Sequence, residues 1–423
     1  MFSYLHLGLA ILATLALTLI VINLAEGEKK IDRHIESRYG VRDPQFLRAM
    51  GVLLGPSVLE GNNIEHLENG DRIFPAMLQA IRSAKHTIVF ETFIYWSGEV
   101  GRAFADALRE RAQAGVKVHV LLDWVGSAKM ERKLLEKMRE GGVRVERYHE
   151  PHWYNWSRMN NRTHRKLLVV DGLVGFTGGV GIADQWSGDA QDENHWRDSH
   201  FRIEGPAVAE FQAVFMDNWM KATGQVLHGP EYFPKIDSAG SMSAQMFSSS
   251  PTGGSESMHL LYLLSIASAE KTLLLSSSYF VPDELAIRAL VNAAKRGVRI
   301  RIITPGEHID TEVVRRASRA RWGSLLEAGI EIYEYQPTMF HCKVMVVDGF
   351  LVSTGSTNFD NRSFRLNDEA NLNVYDEAFA GQMTKVFEKD LARARRITLE
   401  EWRNRPFQER LIERAASLVG KQL

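Results

Sequence analysis

The chain carries one strand-and-turn motif twice. THRKLLVVDGLVGFTGG, from Thr163 to Gly179, is echoed by FHCKVMVVDGFLVSTGS, from Phe340 to Ser356. In each copy a His is followed two residues later by a Lys, then an apolar run, an Asp-Gly and a small-residue pair. That pair is Gly178-Gly179 in the first copy and Gly355-Ser356 in the second. The step from Asp171 to Gly178 equals the step from Asp348 to Gly355, so the copies agree in length as well as in letters. A reactive motif repeated at matched spacing points to two related halves rather than one irregular domain.

The apolar run of each motif predicts a buried strand, whose alternate side chains face opposite ways. His164 and Lys166 then share a face, as do His341 and Lys343. Asp171 and Asp348 fall on the other parity, so neither is expected to orient the His of its own motif. An imidazole beside an ammonium suits a phosphate better than a metal: the Lys supplies charge, and the His can attack phosphorus or donate a proton.

The surrounding text repeats as well. ALRERAQAGVKVHVLLDWVG, from Ala107, parallels ALVNAAKRGVRIRIITPGE, from Ala289, and GGVRVERYHE parallels AGIEIYEYQP. In the first half, helices are predicted near Ile73 to Ser83, Glu99 to Ala114 and Ala128 to Glu140. They alternate with strands HTIVFET, VKVHVLLD and VRVERY. This alternation predicts an α/β fold with mixed, largely parallel sheets flanked by helices. The halves are expected over residues 70–223 and 258–423. A Ser/Gly/Pro-rich linker is expected over 224–257, where SAGSMS and SSSPTGGSES stand.

Leu5 to Leu24 has no acidic side chain and no Lys or Arg, and at about 1.5 Å per residue it can cross a hydrocarbon core of about 30 Å. It lacks the basic leader and cleavage site of a signal peptide, which predicts an uncleaved transmembrane anchor over residues 1–26. A juxtamembrane segment, 27–69, is expected to follow. Lys29, Lys30 and Arg33 lie after the apolar run and no Lys or Arg precedes it, which places the bulk of the protein in the cytoplasm. After Pro406, Phe407, Leu411, Ala415, Leu418 and Val419 recur near helical spacing, with Arg410, Arg414 and Lys421 elsewhere on the wheel. That pattern fits either an interfacial helix on anionic lipid or a terminal helix packed on its own domain.

The 423 residues carry a net charge of −1, so the broad basic field of a nucleic-acid binder is missing. The single cysteine, Cys342, excludes an intramolecular disulfide and a cysteine zinc cluster. Trp153, Tyr154 and Trp156, with Arg158 and Arg162, suit either a headgroup layer or packing against the seam between the halves.

HRKLLVVD and HCKVMVVD, followed by TGG and TGSTN, resemble the paired HxKxxxxD motifs of the phospholipase D superfamily. NGDRIFPAMLQAIRSAKHTIVFETFIYWSG, WRDSHFRIEGPAV and STNFDNRSFRLNDEANLNVYD are similar to its bacterial cardiolipin synthase branch. The resemblance implies two pseudo-twofold-related halves with one active site at their seam. It implies a catalytic set of His164, Lys166, Asp171, His341, Lys343 and Asp348. His164 would be the nucleophile and His341 the acid and base, Asp198 and Glu369 the orienting carboxylates, and Ser356 and Asn358 aids to phosphate binding. Where many members carry an Asn, the first half has Gly181. The implied activity is transfer of a phosphatidyl group onto phosphatidylglycerol at the inner membrane, with no metal or cofactor and no nucleic-acid partner. The same residues with water as acceptor would make a phospholipase D hydrolase, and a nucleic-acid phosphodiesterase is the third reading.

Overall fold

The computed structural model describes residues 4–24, 31, 33, 35–36, 39–150, 160–251 and 257–418. Strands of the first half are β1 Leu59–Glu68, β2 Thr87–Thr92, β3 Lys117–Asp123, β4 Arg144–Tyr148, β5 Arg162–Thr163, β6 Leu167–Val170, β7 Val174–Gly178 and β8 Ser199–Glu204. Those of the second are β9 Met242–Ser249, β10 Thr272–Ser277, β11 Phe280–Val281, β12 Arg299–Pro305, β13 Glu331–Tyr335, β14 Lys343–Val347, β15 Leu351–Gly355, β16 Phe359–Asp360, β17 Asn367–Tyr375 and β18 Ala394–Ile397.

All but β11 and β16 join one continuous sheet, ordered β18-β13-β12-β10-β14-β15-β17-β9-β1-β8-β7-β6-β2-β3-β4, with β5 paired to β17. Read outward from the central β9–β1 pair, the two sides match strand for strand, and β18 is added at one outer edge. The expectation of largely parallel sheets needs correction. Along the main strand order only β2-β3-β4 and β10-β12-β13 run parallel, because helices connect them, with the short β5–β17 and β11–β16 pairs parallel beside it; the inner strands are antiparallel. The Asp-Gly of each motif explains part of this. Asp171 and Gly172 have φ of 52° and 65°, and Asp348 and Gly349 of 50° and 59°. Two successive left-handed residues make the tight hairpin turns that fold β6 onto β7 and β14 onto β15.

Helices cover both faces. Val208–Thr223 and Glu377–Leu391 lie over one core that runs beneath both halves, joining Phe201, Phe211, Phe215 and Trp219 to Leu372, Phe379 and Phe387. Full burial of each large side chain contributes about 2–3 kcal/mol. The other face is covered separately, by Asn69–Ser83, Glu99–Gln113 and Arg132–Glu140 in the first half and by Ser257–Ala267 and Glu284–Lys295 in the second. The first three helices and β2 to β4 follow the sequence expectation closely.

Two predicted boundaries differ. The expected linker contains β9, which pairs with both β17 and β1 at the centre of the sheet. Its alternating MSAQMFSS buries Ala244 and Met246, a strand pattern that the neighbouring Ser and Gly obscure. The expected juxtamembrane segment contains the helix Pro44–Leu54 and the whole of β1. Near the start, Tyr4–Leu24 is a helix of 21 residues with Leu7, Leu9, Ile11, Leu12, Leu15, Leu17, Ile20 and Val21 exposed. Its described side chains run unbroken only from His6 to Val21, and among the described residues no helix is long and apolar enough to cross a membrane. Lys29 and Lys30 lie outside the described residues.

Three buried histidines of the first half make the fold acid-sensitive. Burial lowers His66 to about 3, with Arg197 adding to it; burial and Arg144 lower His119 to about 4; burial lowers His200 to about 3. Each stays neutral in the folded chain while the unfolded chain gains a proton below about pH 6.5, so stability is complete above that pH and falls as pH drops toward 4. Each contributes a slope of about 1.4 kcal/mol per pH unit. Urea unfolding should therefore show a clearly lower midpoint at about pH 5.5 than at about pH 7.5. His119→Gln, which keeps a partner for the Tyr232 hydroxyl now 2.8 Å away, should reduce that acid loss.

Candidate active site at the seam between the halves

His164 lies just ahead of β6, and its position is fixed by the other half. Arg162 and Thr163 pair in parallel with Asn367 and Asp368, and the His164 amide donates to the Asp368 carbonyl at 2.9 Å. The second His is held in the mirrored way. Phe340 bridges to Arg197, and the His341 amide donates to the Arg197 carbonyl at 2.8 Å. Arg197, 1% exposed, also forms a two-pronged pair with Asp390 at 2.9 and 2.8 Å.

The orienting carboxylates cross the seam. Glu369 of the second half stands 3.0 Å from Nδ1 of His164, and Asp198 of the first half stands 2.8 Å from Nδ1 of His341. Both acids were legible in the sequence by resemblance; that each serves the opposite motif was not, because nothing in one chain's letters says which halves exchange partners. A carboxylate only accepts, so each Nδ1 donates, and a neutral ring then carries its lone pair on Nε2. Both rings border one cavity of about 430 Å³, together with Lys166, Asn358, Trp186, Trp196, Phe93 and others.

The electrostatics are those of a buried, charge-balanced pocket. Burial lowers His164 to about 4, with Lys166 and Lys343 adding to it against the pull of Glu369. Burial and then Lys343 lower His341. Lys166 is brought down to about 7 by burial and by the like charge of Lys343, and burial lowers Lys343 as well. Burial pushes Asp198 up, but His341 and Lys343 outweigh it and hold the carboxyl below its usual range; His164 and Lys166 do the same for Glu369. Each Lys Nζ is tied 2.8 Å from the carbonyl of its own motif His. Lys343 Nζ also lies 3.2 Å from His341 Nε2 and donates to Ser278 Oγ at 2.5 Å.

Three expected roles need correction. Asp171 and Asp348 are outside the cavity. Asp171 accepts from the amides of Lys85, His86 and Thr87 at 2.7–2.9 Å, and Asp348 from those of Glu270, Lys271 and Thr272 at 2.8 Å. They clamp the entry to β2 and β10 from the hairpin turns, as their strand parity suggested. Ser356 does not face the cavity as a phosphate ligand: its hydroxyl donates to Glu369 Oε2 at 2.5 Å and accepts from the Ala370 amide at 3.0 Å. Asn358 does line the cavity, and its Oδ1 accepts from Ser278 Oγ at 2.7 Å.

The halves are not equivalent here. In place of Ser356 the first half has Gly179, where a Cβ would collide with the Asp198 carboxylate. In place of Asn358 it has Gly181, where a Cβ would sit 3.1 Å from the ring of Trp186. That indole fills the room and donates to Asp198 Oδ2 at 2.8 Å, while its ring and that of Trp196 pack on His341. Sequence reasoning missed Trp186 and Trp196; Gly181 was the available signal, since a missing side chain in one copy leaves space for something larger. Arg162 is in the cavity wall, and Trp153, Tyr154, Trp156 and Arg158 lie outside the described residues. Cys342 is buried beside Arg197, away from the cavity, with burial raising its thiol.

Comparison with known proteins identifies the family. The family model described as cardiolipin synthase, PLD-like domain, matches residues 77–219 and 262–391. The cardiolipin synthase of Geobacillus kaustophilus (strain HTA426) is 36% identical over 360 residues, covering 84% of this chain and 72% of the relative. Cardiolipin synthase A of Pseudomonas syringae pv. syringae (strain B728a) is 36% identical over 377 residues, covering 88% and 78%. Among solved structures, phosphatidylserine synthase of Haemophilus influenzae Rd KW20 aligns with a TM-score of 0.69 at 16% identity, over 89% of this chain and 99% of its own. Polyphosphate kinase of Porphyromonas gingivalis aligns with a TM-score of 0.54 at 15% identity, over 93% and 57%. Those two likenesses speak to the fold alone. With both halves matched and the relatives aligned along most of its length, the chain belongs to the cardiolipin synthase family of phospholipase D-like proteins.

Proposed function

We propose that the protein is a cardiolipin synthase-type phosphatidyl transferase working through a phosphohistidine. The observation that carries this reading is the pair of carboxylate-oriented imidazoles, one from each half, bordering a single cavity with Lys166. With the anionic phosphodiester bound, His341 carries a proton on Nε2 as well as on Nδ1; His164 Nε2 attacks the phosphorus of one phosphatidylglycerol, the bond to its terminal glycerol breaks, and the His341 imidazolium gives that glycerol oxygen its Nε2 proton. A hydroxyl of a second phosphatidylglycerol then attacks the phosphorus, His341 takes its proton, and the phosphorus–nitrogen bond breaks. The products are cardiolipin and glycerol, and both imidazoles return to their starting state.

The remaining groups serve charge. An incoming phosphodiester supplies the negative charge that Lys166 lacks in the empty pocket, so the substrate itself restores the ammonium that stabilises its oxygens. The depressed His164 leaves the ring neutral, as a nucleophile requires, throughout the physiological range. Asn358 offers an amide beside the cavity, matched by no side chain at Gly181.

The membrane setting belongs to the same reading. The run from Leu5 to Leu24 carries no Asp, Glu, Lys or Arg, and exposed leucines on all sides of a helix call for an apolar surrounding. Anchoring there, with Lys29, Lys30 and Arg33 on the near side, keeps the catalytic part in the cytoplasm beside its lipid. Division into two halves at residues 70–223 and 258–423 is retained for the catalytic units, with β1 and β9 as the strands that join them.

Purified protein incubated with phosphatidylglycerol should yield cardiolipin and free glycerol by mass spectrometry. Phosphatidic acid alone would instead make it a hydrolase. His164→Ala and His341→Ala should each abolish transfer while the chain still folds cooperatively, with some loss of unfolding midpoint because Glu369 or Asp198 loses its partner; near-normal turnover in either would sink the shared-site mechanism. Ser356→Ala removes a donor from Glu369 and should lower kcat by about 10–100-fold while leaving KM for phosphatidylglycerol unchanged. A rise in KM with kcat intact would return Ser356 to phosphate binding.

A further inference from the structure

The C-terminal helix Phe407–Leu418 docks by one face and leaves the other bare. Glu413, 4% exposed, accepts from Arg319 Nε at 3.1 Å and pairs with Arg405 at 2.9 Å; Ala416 packs on Val314 and Ala317 of the helix Glu312–Ala320. On the far side Phe407 and Leu411 are 73% and 58% exposed, and Ile412, at the other edge of the docked face, is 46% exposed. The packed alternative read from the sequence holds for one face, while the opposite face keeps exposed apolar side chains. At 3.6 residues per turn, Arg410 and Arg414 fall on the flank between the docked residues and Phe407 and Leu411.

That flank closes a cavity of about 340 Å³ whose wall includes Trp402, Arg403, Arg405, Arg410, Glu413 and Arg414. Four guanidiniums meet one carboxylate there. Arg403 reaches Glu327 at 2.8 Å, outside the cavity wall, and Arg405 lies 4.1 Å over the Trp402 ring with its Nε buried and without a hydrogen-bond partner. Burial, with Arg319 and Arg410 opposing the help of Glu413, lowers Arg405 below the usual guanidinium range. The cavity holds a surplus of positive charge, one helical turn from exposed Phe407 and Leu411.

We propose that this cavity takes the phosphate of an anionic phospholipid at the membrane surface, with Phe407 and Leu411 seated at the acyl boundary beside it. Guanidiniums suit a phosphate by their fork of donors, and a helix with arginines on its flank and apolar side chains outward fits the interface plane. The location gives the contact a purpose. Val314 contributes both to the active cavity and to the pad on which Ala416 rests, so a lipid held at the C-terminal helix sets the active cavity against the same surface. This rests on the membrane setting of the transferase reading but involves none of its reacting groups.

The sole native cysteine, Cys342, is buried, so Leu411→Cys can be labelled selectively with a polarity-sensitive fluorophore. In full-length protein reconstituted into vesicles, the label should enter an apolar environment when phosphatidylglycerol is present and not in phosphatidylcholine alone, and high salt should reverse the change. Arg410→Ala and Arg414→Ala should lower the docked-to-undocked ratio by about five-fold each, with turnover in detergent micelles unchanged as the check on folding. Equal emission in both membranes, or indifference to the two substitutions, would overturn the proposal. A shift produced by inorganic phosphate without anionic lipid would replace it with a free-phosphate site. Because the readout is fluorescence, its failure leaves the transferase reading standing, and failure of transfer leaves the docking measurement valid.

Discussion

The bonds from Glu369 to His164 and from Asp198 to His341 are what the rest of the site depends on. Each joins two buried groups contributed by different halves, where a low dielectric strengthens the attraction and penalises any unpartnered charge. The same two carboxylates stand against Lys166 and Lys343, whose ammonium groups would otherwise be too costly to bury. Neither half alone owns a fully oriented imidazole. The Arg197–Asp390 pair and the two cross-seam backbone bridges then keep the exchanged groups in register.

Within that reciprocal frame the two halves have diverged around their carboxylates. Glu369 is held by a hydroxyl, from Ser356, and Asp198 by an indole, from Trp186. The polar side gives His164 a carboxylate shared between both its oxygens; the aromatic side wraps His341 in two tryptophan rings.

The sequence made the repeated parts easiest to read, because periodicity and matched spacing carry information twice. His164, Lys166, His341 and Lys343 were found from letters and parity, and parity also warned that Asp171 and Asp348 point away from the rings. Asp198 and Glu369 came from resemblance, since a carboxylate brought across a seam has no local signature. The strand β9 is hidden because the Ser- and Gly-rich text on either side of MSAQMFSS reads as a linker, although Met246 and Phe247 are buried by pairing on both sides. The role of Ser356 was misread for a related reason: a hydroxyl near a phosphate site fits either of two partners, and only the position of Glu369 decides between them. The antiparallel inner strands are written in the Asp-Gly turns, a weaker signal than the helix-strand alternation of the outer strands.

The central β1–β9 pair carries a consequence for how the chain is made. Strand β1 is finished early in synthesis, yet its second edge is covered only after β9 leaves the ribosome, and β17 comes later still. At roughly 5–20 residues per second, that edge stays open for on the order of ten seconds or more. An uncovered edge strand is a template for pairing with other chains. The nascent protein therefore passes through a period in which the first half is largely folded but sticky, and a slow codon stretch between the halves would lengthen it.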